Sequence, residues 1–304
     1  MPRINLGDLA DDHHFDQSDG RSRAATTRKR RRASDWDVTA DDPDLPDTAT
    51  RSTYQESRGS QGPRPTPAWL VTSSAALDHE RGVIKTGKEA DVELIERVDP
   101  LTGSSCLLAA KRYRSSRHRL FHRDAGYLEG RRVRRSRENR AMATRTSFGH
   151  QVIAGQWAAA EFEILGTLWS AGVAVPYPVQ IGDAELLMEF IGEPDGTAAP
   201  RLAELRPTRD ELDDLWTQCR TALEGLAACG FAHGDLSAYN VLVDDGRLVL
   251  IDLPQVVDIV GNPQGLAYLQ RDCDNICRWF TVNGYRSADT GELLAALASE
   301  AGLS

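Results

Sequence analysis

One stretch constrains this chain more than any other: residues 231–255, FAHGDLSAYNVLVDDGRLVLIDLPQ. Asp244-Asp245-Gly246 separates two apolar runs, 241–243 and 248–253, and so predicts a β-hairpin. Closing that hairpin carries the loop before its first strand to the end of its second. Asp235, Asn240 and Asp252 then converge. Two carboxylates and one amide oxygen suit hard Mg²⁺, with Mn²⁺ as the alternative, better than a softer metal. A metal held by so few protein ligands completes its shell with phosphate oxygens. The bland alternative is a surface loop in which Asp and Asn serve turns and His233 is hydrogen-bonded in place.

The order H-x-D-x-x-x-x-N followed by I-D at a strand end resembles the catalytic and metal loops of protein kinases. The wording HGDLSAYN and IDLPQ, with KTGKEADV and LLMEFIGE upstream, more closely resembles the RIO family of atypical serine/threonine kinases, nearest its RIO1-like branch. The resemblance covers roughly residues 66–285, with its four blocks in the expected order. It implies an α+β, two-lobed protein-kinase-like fold, with a small antiparallel sheet lobe, a reduced helical lobe, and ATP and Mg²⁺ between them.

By that likeness Asp235 orients or deprotonates the accepting hydroxyl, while Asn240 and Asp252 hold the metal. Thr86, Gly87 and Lys88 form the turn covering the phosphates. Lys111, in the alternating strand LLAAKRY, contacts the α- and β-phosphates and pairs with a glutamate on the next helix. That glutamate is Glu161, with Glu163 as the alternative. Met188 lines the adenine pocket, and backbone groups of Glu189 and Ile191 read the base. Each block has an ordinary reading too: T-G-K as a hairpin turn, Lys111 as a snorkelling side chain, and LLMEFI as a buried strand.

Composition limits the rest. At 304 residues, 40% hydrophobic and net charge −9, the chain can bury one sizeable core and is no generally basic nucleic-acid binder. The N-terminus has no apolar core of a secretion signal, and the five cysteines are scattered as reduced thiols are. A cytoplasmic location is expected. Residues 1–65 carry nine large apolar or aromatic side chains, too few to offset the entropy of ordering them, and are expected to be a disordered, charged tail. The kinase-like domain then spans 66–304: N-lobe about 66–188, hinge about 189–194, C-lobe about 195–304. Residues 112–150 hold twelve arginines against three acids and are expected to be a flexible loop. Its candidate occupants are a phosphorylated, RNA or ribosomal partner, and the plain alternative is a solvated linker.

Three activities fit these readings: transfer of the γ-phosphate to protein hydroxyls or to the chain itself, an ATPase switch with a phosphoaspartate at Asp252, and a small-molecule phosphotransferase. The short stretch after IDLPQ leaves little room for a peptide platform, which favours the switch. Against the phosphotransferase stands the wording Ser237-Ala238-Tyr239. The arginine-rich segment yields one prediction. Replacing Arg131, Arg132, Arg134 and Arg135 by serine should flatten the salt dependence of any association with RNA or ribosomal subunits, while leaving ATP affinity unchanged. Wild-type protein with no salt-sensitive association would leave the solvated linker as the reading.

Overall fold

The computed structural model describes residues 49–114 and 147–303, all within one compact unit, Asp42–Ser304. The first 48 residues and 115–146, which include most of the expected tail and arginine-rich loop, lie outside the described residues.

The N-lobe is a six-stranded antiparallel sheet ordered β1-β2-β3-β4-β6-β5. Its strands are β1 (Ala49–Arg51), β2 (Leu77–Thr86), β3 (Ala90–Val98), β4 (Ser105–Tyr113), β5 (Pro178–Gly182) and β6 (Glu185–Glu189). β4 lies inside the sheet, between β3 and β6. Leu108, Ala109, Ala110 and Lys111 are consequently all buried. The two-residue period of a strand still sorts its charges: Lys111 faces the cleft, and Arg112 faces a carboxylate group formed by Glu80, Glu93 and Glu185. The helix α1 (Ser147–Ser170) covers the inner face and sends Leu165 and Leu168 into the larger core below.

The C-lobe contains α2 (Arg209–Ala228), a short β7 (Phe231–Ala232), the hairpin β8 (Val241–Asp244) with β9 (Arg247–Leu250), β10 (Val257–Asp258), α3 (Gly265–Val282) and α4 (Thr290–Glu300). Thr208 caps α2 and forms the expected reciprocal pair with Glu211, which satisfies backbone N–H groups left open at a helix start. The stripe Leu212, Leu215, Trp216, Leu223 and Leu226 is buried against α3 residues Leu269, Ile276 and Phe280. The hairpin turns at Asp245 and Gly246, whose φ angles of 47° and 76° are the positive pair that a tight hairpin turn demands. The fold is thus the α+β kinase-like arrangement expected. No helix among the described residues is long and apolar enough to cross a membrane.

The expected boundary at residue 65 needs correction. Residues 49–51 pair with β2, Tyr54 is 4% exposed, Gln61 bridges Gln180 on β5, and the Pro63 carbonyl accepts from the Tyr177 hydroxyl at 2.9 Å. Arg97, fully buried and held bidentately by Asp78 at 2.6 and 2.8 Å, stands 5.8 Å from the Tyr54 ring centroid. Sparse apolar content argues against a segment folding on itself. It says nothing against one that adds to a sheet edge, where backbone partners and an aromatic shelf already exist. Tyr54→Ala should therefore cost about 3 kcal/mol in chemical denaturation, through the lost burial and the cavity left behind. An unchanged midpoint would restore the tail reading for this segment.

Candidate active site

The site draws on β4, the middle of α1, the chain just past β9 and the loop between β7 and β8. Lys111, near the end of β4, donates from Nζ to Glu161 Oε1 of α1 at 2.7 Å and to Asp252 Oδ1, just past β9, at 3.0 Å. The Glu161 and Lys111 side chains are 2% and 10% exposed, whereas Asp252 is 41% exposed and opens to the cleft. Of the two candidate glutamates the pair therefore uses Glu161; Glu163, two residues on, is exposed. Tyr113, on the same face of β4 as Lys111, donates its hydroxyl to Glu161 Oε2.

These contacts set the charges. Burial alone would lower the Lys111 ammonium, but Glu161 and then Asp252 outweigh it and hold its pKa above the ordinary value. Burial would likewise raise the Asp252 carboxyl, but Lys111, Lys85 and His233 together keep it below its usual range. Lys85, at the end of β2, thereby joins the site electrostatically.

The loop between β7 and β8 is fixed from beneath. Asp272, a buried carboxylate on α3, accepts from the backbone N–H groups of Gly234 at 2.7 Å and Leu236 at 2.9 Å. Asn275 donates to the Leu236 carbonyl at 3.1 Å, and Arg271 donates to that of Gly234. His233, fully buried, bonds the Ile251 carbonyl through Nε2 at 3.0 Å, which ties this loop to the residue before Asp252. Gly234 has φ 82°, and a Cβ there would lie 2.3 Å from the Gln255 carbonyl oxygen, so the glycine between His233 and Asp235 has no substitute. Asp235 is left exposed at the loop surface.

Asn240 donates through Nδ2 to the Asp235 carbonyl at 2.9 Å, and its own carbonyl accepts from Ile251 N–H at 3.0 Å. Its side-chain oxygen remains for a cation. The donor set that Asn240 and Asp252 offer is hard oxygen, which fits a divalent cation of the Mg²⁺ kind. No group of three or more His, Cys, Asp or Glu residues that could hold a metal occurs among the described residues. A cation here would share its shell with phosphate.

The other expected residues lie around this centre rather than in hydrogen-bond contact with it. Thr86, Gly87 and Lys88 make the β2–β3 turn, closed by Gly87 N–H donating to Ala90 at 2.9 Å; Thr86 and Lys88 are exposed. Met188 pairs with Ala109 across β6 and β4 and is half-buried against the C-lobe core. Of the expected hinge groups, two are already engaged: Glu189 N–H donates to Tyr177 at 2.8 Å, and the Ile191 carbonyl accepts from Ala199 at 3.0 Å. Ile191 N–H makes no backbone hydrogen bond to another described residue. The Glu189 carboxylate turns back to Tyr177 N–H at 3.0 Å.

One family model matches the stretch of chain that carries Lys111, Glu161, Asp235, Asn240 and Asp252. The RIO domain model covers residues 108–293. The chain belongs to the RIO family. It is 34% identical over 220 residues to the RIO-type serine/threonine-protein kinase Rio1 of Haloferax volcanii, covering 71% of this chain and 68% of that protein. It is 32% identical over 211 residues to the serine/threonine-protein kinase rio1 of Dictyostelium discoideum, covering 69% of this chain. With the serine/threonine-protein kinase RIO3 of Bos taurus it shares 35% identity over 133 residues. The aligned stretches span only 34% and 25% of those two eukaryotic proteins. A kinase family implies ATP and a divalent metal in general, and a protein substrate or autophosphorylation.

Tyr113 and Asp272 were not picked out from the sequence as site residues. Asp272 carried a signal: it shares a helical stripe with Leu269, Cys273, Ile276 and Phe280, and a carboxylate on a buried stripe needs donors. Asp272→Ala leaves two backbone N–H groups without their acceptor, at about 1–3 kcal/mol each. Urea denaturation should show a loss of that order, and the 233–240 loop should become cleavable by protease.

The lysine cluster makes a second, pH-dependent prediction. Asp252, depressed below its ordinary 3.8, contributes stability above that value and loses it as pH falls through the folded pKa. Lys111, raised above its ordinary 10.5, contributes below that value and loses it as pH rises through the folded pKa. Lys111→Met should destabilise by about 3–5 kcal/mol near neutrality, because it strands the buried Glu161 carboxylate. The gap to wild type should narrow at both acid and alkaline extremes. A gap independent of pH from 3 to 11 would show that the pair carries no linked charge.

Proposed function

We propose that this chain is an ATP-dependent, atypical serine/threonine protein kinase of the RIO type, transferring the γ-phosphate to a protein hydroxyl or to itself. The observation that carries the reading is Lys111 held between Glu161 and Asp252, next to a loop that exposes Asp235. A buried ammonium fixed by a glutamate is a preset charge for the α- and β-phosphates. The names of the relatives, serine/threonine-protein kinases throughout, support hydroxyl acceptors over a small-molecule acceptor or a phosphoaspartate switch.

Within this reading Asn240 and Asp252 hold Mg²⁺, or Mn²⁺ in its place. The metal, when bound, neutralises phosphate charge. Thr86, Gly87 and Lys88 lie over the phosphates, where Lys85 adds a second positive charge. Ile191 N–H is the hinge donor to adenine, and Met188 lines the base pocket. Asp235 orients the acceptor hydroxyl and accepts its proton. The backbone clamp from Asp272 holds that carboxylate's loop in register with Asp252, so positioning rather than covalent chemistry supplies the rate.

Incubation with γ-labelled ATP and Mg²⁺ should leave an acid-stable label on serine or threonine. Asp235→Asn should lower turnover by about 10²–10⁴, and Lys111→Met should weaken ATP binding. A label on Asp252 that hydroxylamine removes would overturn hydroxyl transfer, and unchanged ATP affinity and turnover in Lys111→Met would overturn the site.

A further inference from the structure

The Lys111–Glu161 pair has a third member that the phosphoryl-transfer reading does not use. Tyr113 ends β4 two residues beyond Lys111, so both side chains fall on the cleft face of the strand. Its backbone is anchored by Tyr113 N–H donating to Ala184 at 2.9 Å. Its hydroxyl donates to Glu161 Oε2 while Lys111 takes Oε1, and its ring centroid stands 5.4 Å from Lys111 Nζ. One aromatic side chain thus touches both partners of the pair.

The division of the Glu161 carboxylate matters because Lys111 has two claims on it in this arrangement, one from Glu161 and one from Asp252. In phosphoryl transfer Asp252 serves the metal and the lysine serves phosphate oxygens, so Lys111 must exchange a partner. A carboxylate held only by the lysine would move with it. Glu161 is 2% exposed and so shielded from bulk solvent, and its second oxygen is fixed by a donor from the neighbouring strand β4.

We propose that Tyr113 is a positioning residue for phosphate recognition: it fixes the Glu161 carboxylate, and so aims the Lys111 ammonium at the ATP phosphates. Burial, followed by the Glu161 charge, pushes the tyrosine pKa well above its ordinary value, so the hydroxyl stays a donor throughout the neutral range. The ring adds a cation–π contact that favours the charged lysine.

This inference rests on the ATP reading above, and the experiment separates the two. Mg·ATP and adenosine affinities are measured by calorimetry for wild type, Tyr113→Phe, Lys111→Met and the double variant. Tyr113→Phe keeps the ring and its packing and removes only the donor, so the melting temperature should hold within a few degrees. Its Mg·ATP affinity should fall roughly tenfold, the order expected for a hydrogen bond to a charged group, with adenosine affinity unchanged. In the Lys111→Met background the same change should cost no ATP affinity, because the residue it aims is gone. Equal losses for ATP and adenosine, or the same loss with and without Lys111, would mean a structural role and overturn the proposal, as would wild-type ATP affinity in Tyr113→Phe. Wild type that binds ATP no better than adenosine would instead overturn the ATP reading itself.

Discussion

The contact on which the arrangement depends is the ammonium of Lys111 between Glu161 and Asp252. It joins three separate parts of the chain: a strand inside the N-lobe sheet, the helix that covers that sheet, and the strand end leaving the C-lobe hairpin. A buried charge cannot be left alone without a cost of several kcal/mol. Each of the three parts is therefore held to the position that satisfies it. The buried neighbours on the lysine's face of the sheet, Ala109 on β4 and Leu186 opposite it on β6, limit water at the Lys111–Glu161 pair, which strengthens it and narrows its geometry.

A second constraint works from below. The loop that carries Asp235 and Asn240 has almost no regular structure, and backbone N–H groups inside a protein need acceptors. Asp272 supplies two, His233 links the loop to Ile251, and Gly234 permits the close approach. Because Asp272 lies on the buried stripe of α3 that shares its core with α2, the large C-lobe core sets the height of the catalytic loop. The small core formed by Tyr54, Ile95, Tyr177 and Leu187 does the equivalent for the sheet. The segment 49–65 is part of that support, which is why counting its own apolar residues misjudged it.

Much of the site was legible because its chemistry is local. The HGD…N…ID spacing required only a hairpin to make its segments neighbours, with Asn240 hydrogen-bonded to both Asp235 and Ile251, and Asp245-Gly246 is a turn sequence for a stereochemical reason. Lysine in an apolar alternating strand announced that it needed a partner. Helix limits followed equally well: the Thr208–Glu211 cap and the apolar stripes of α2 and α3 are short-range signals.

What the sequence determined, then, was which functional groups the chain owns and which neighbours along the chain they must meet, since turn geometry, capping and periodicity act over a few residues. Which distant groups meet was decided only by tertiary packing. Glu161 was the preferred partner on paper and Glu163 the alternative, and the rotation of α1 buries the first and exposes the second. Tyr113 reads as the end of a strand until the sheet brings its hydroxyl to the helix, and Asp272 finds its backbone partners 36 and 38 residues away. The availability of Ile191 N–H, with Glu189 N–H already engaged, likewise depends on where β5 and the 197–199 turn come to rest. Such contacts depend on the relative placement of whole elements, and that is fixed by the packing of the two cores together, which no window of sequence contains.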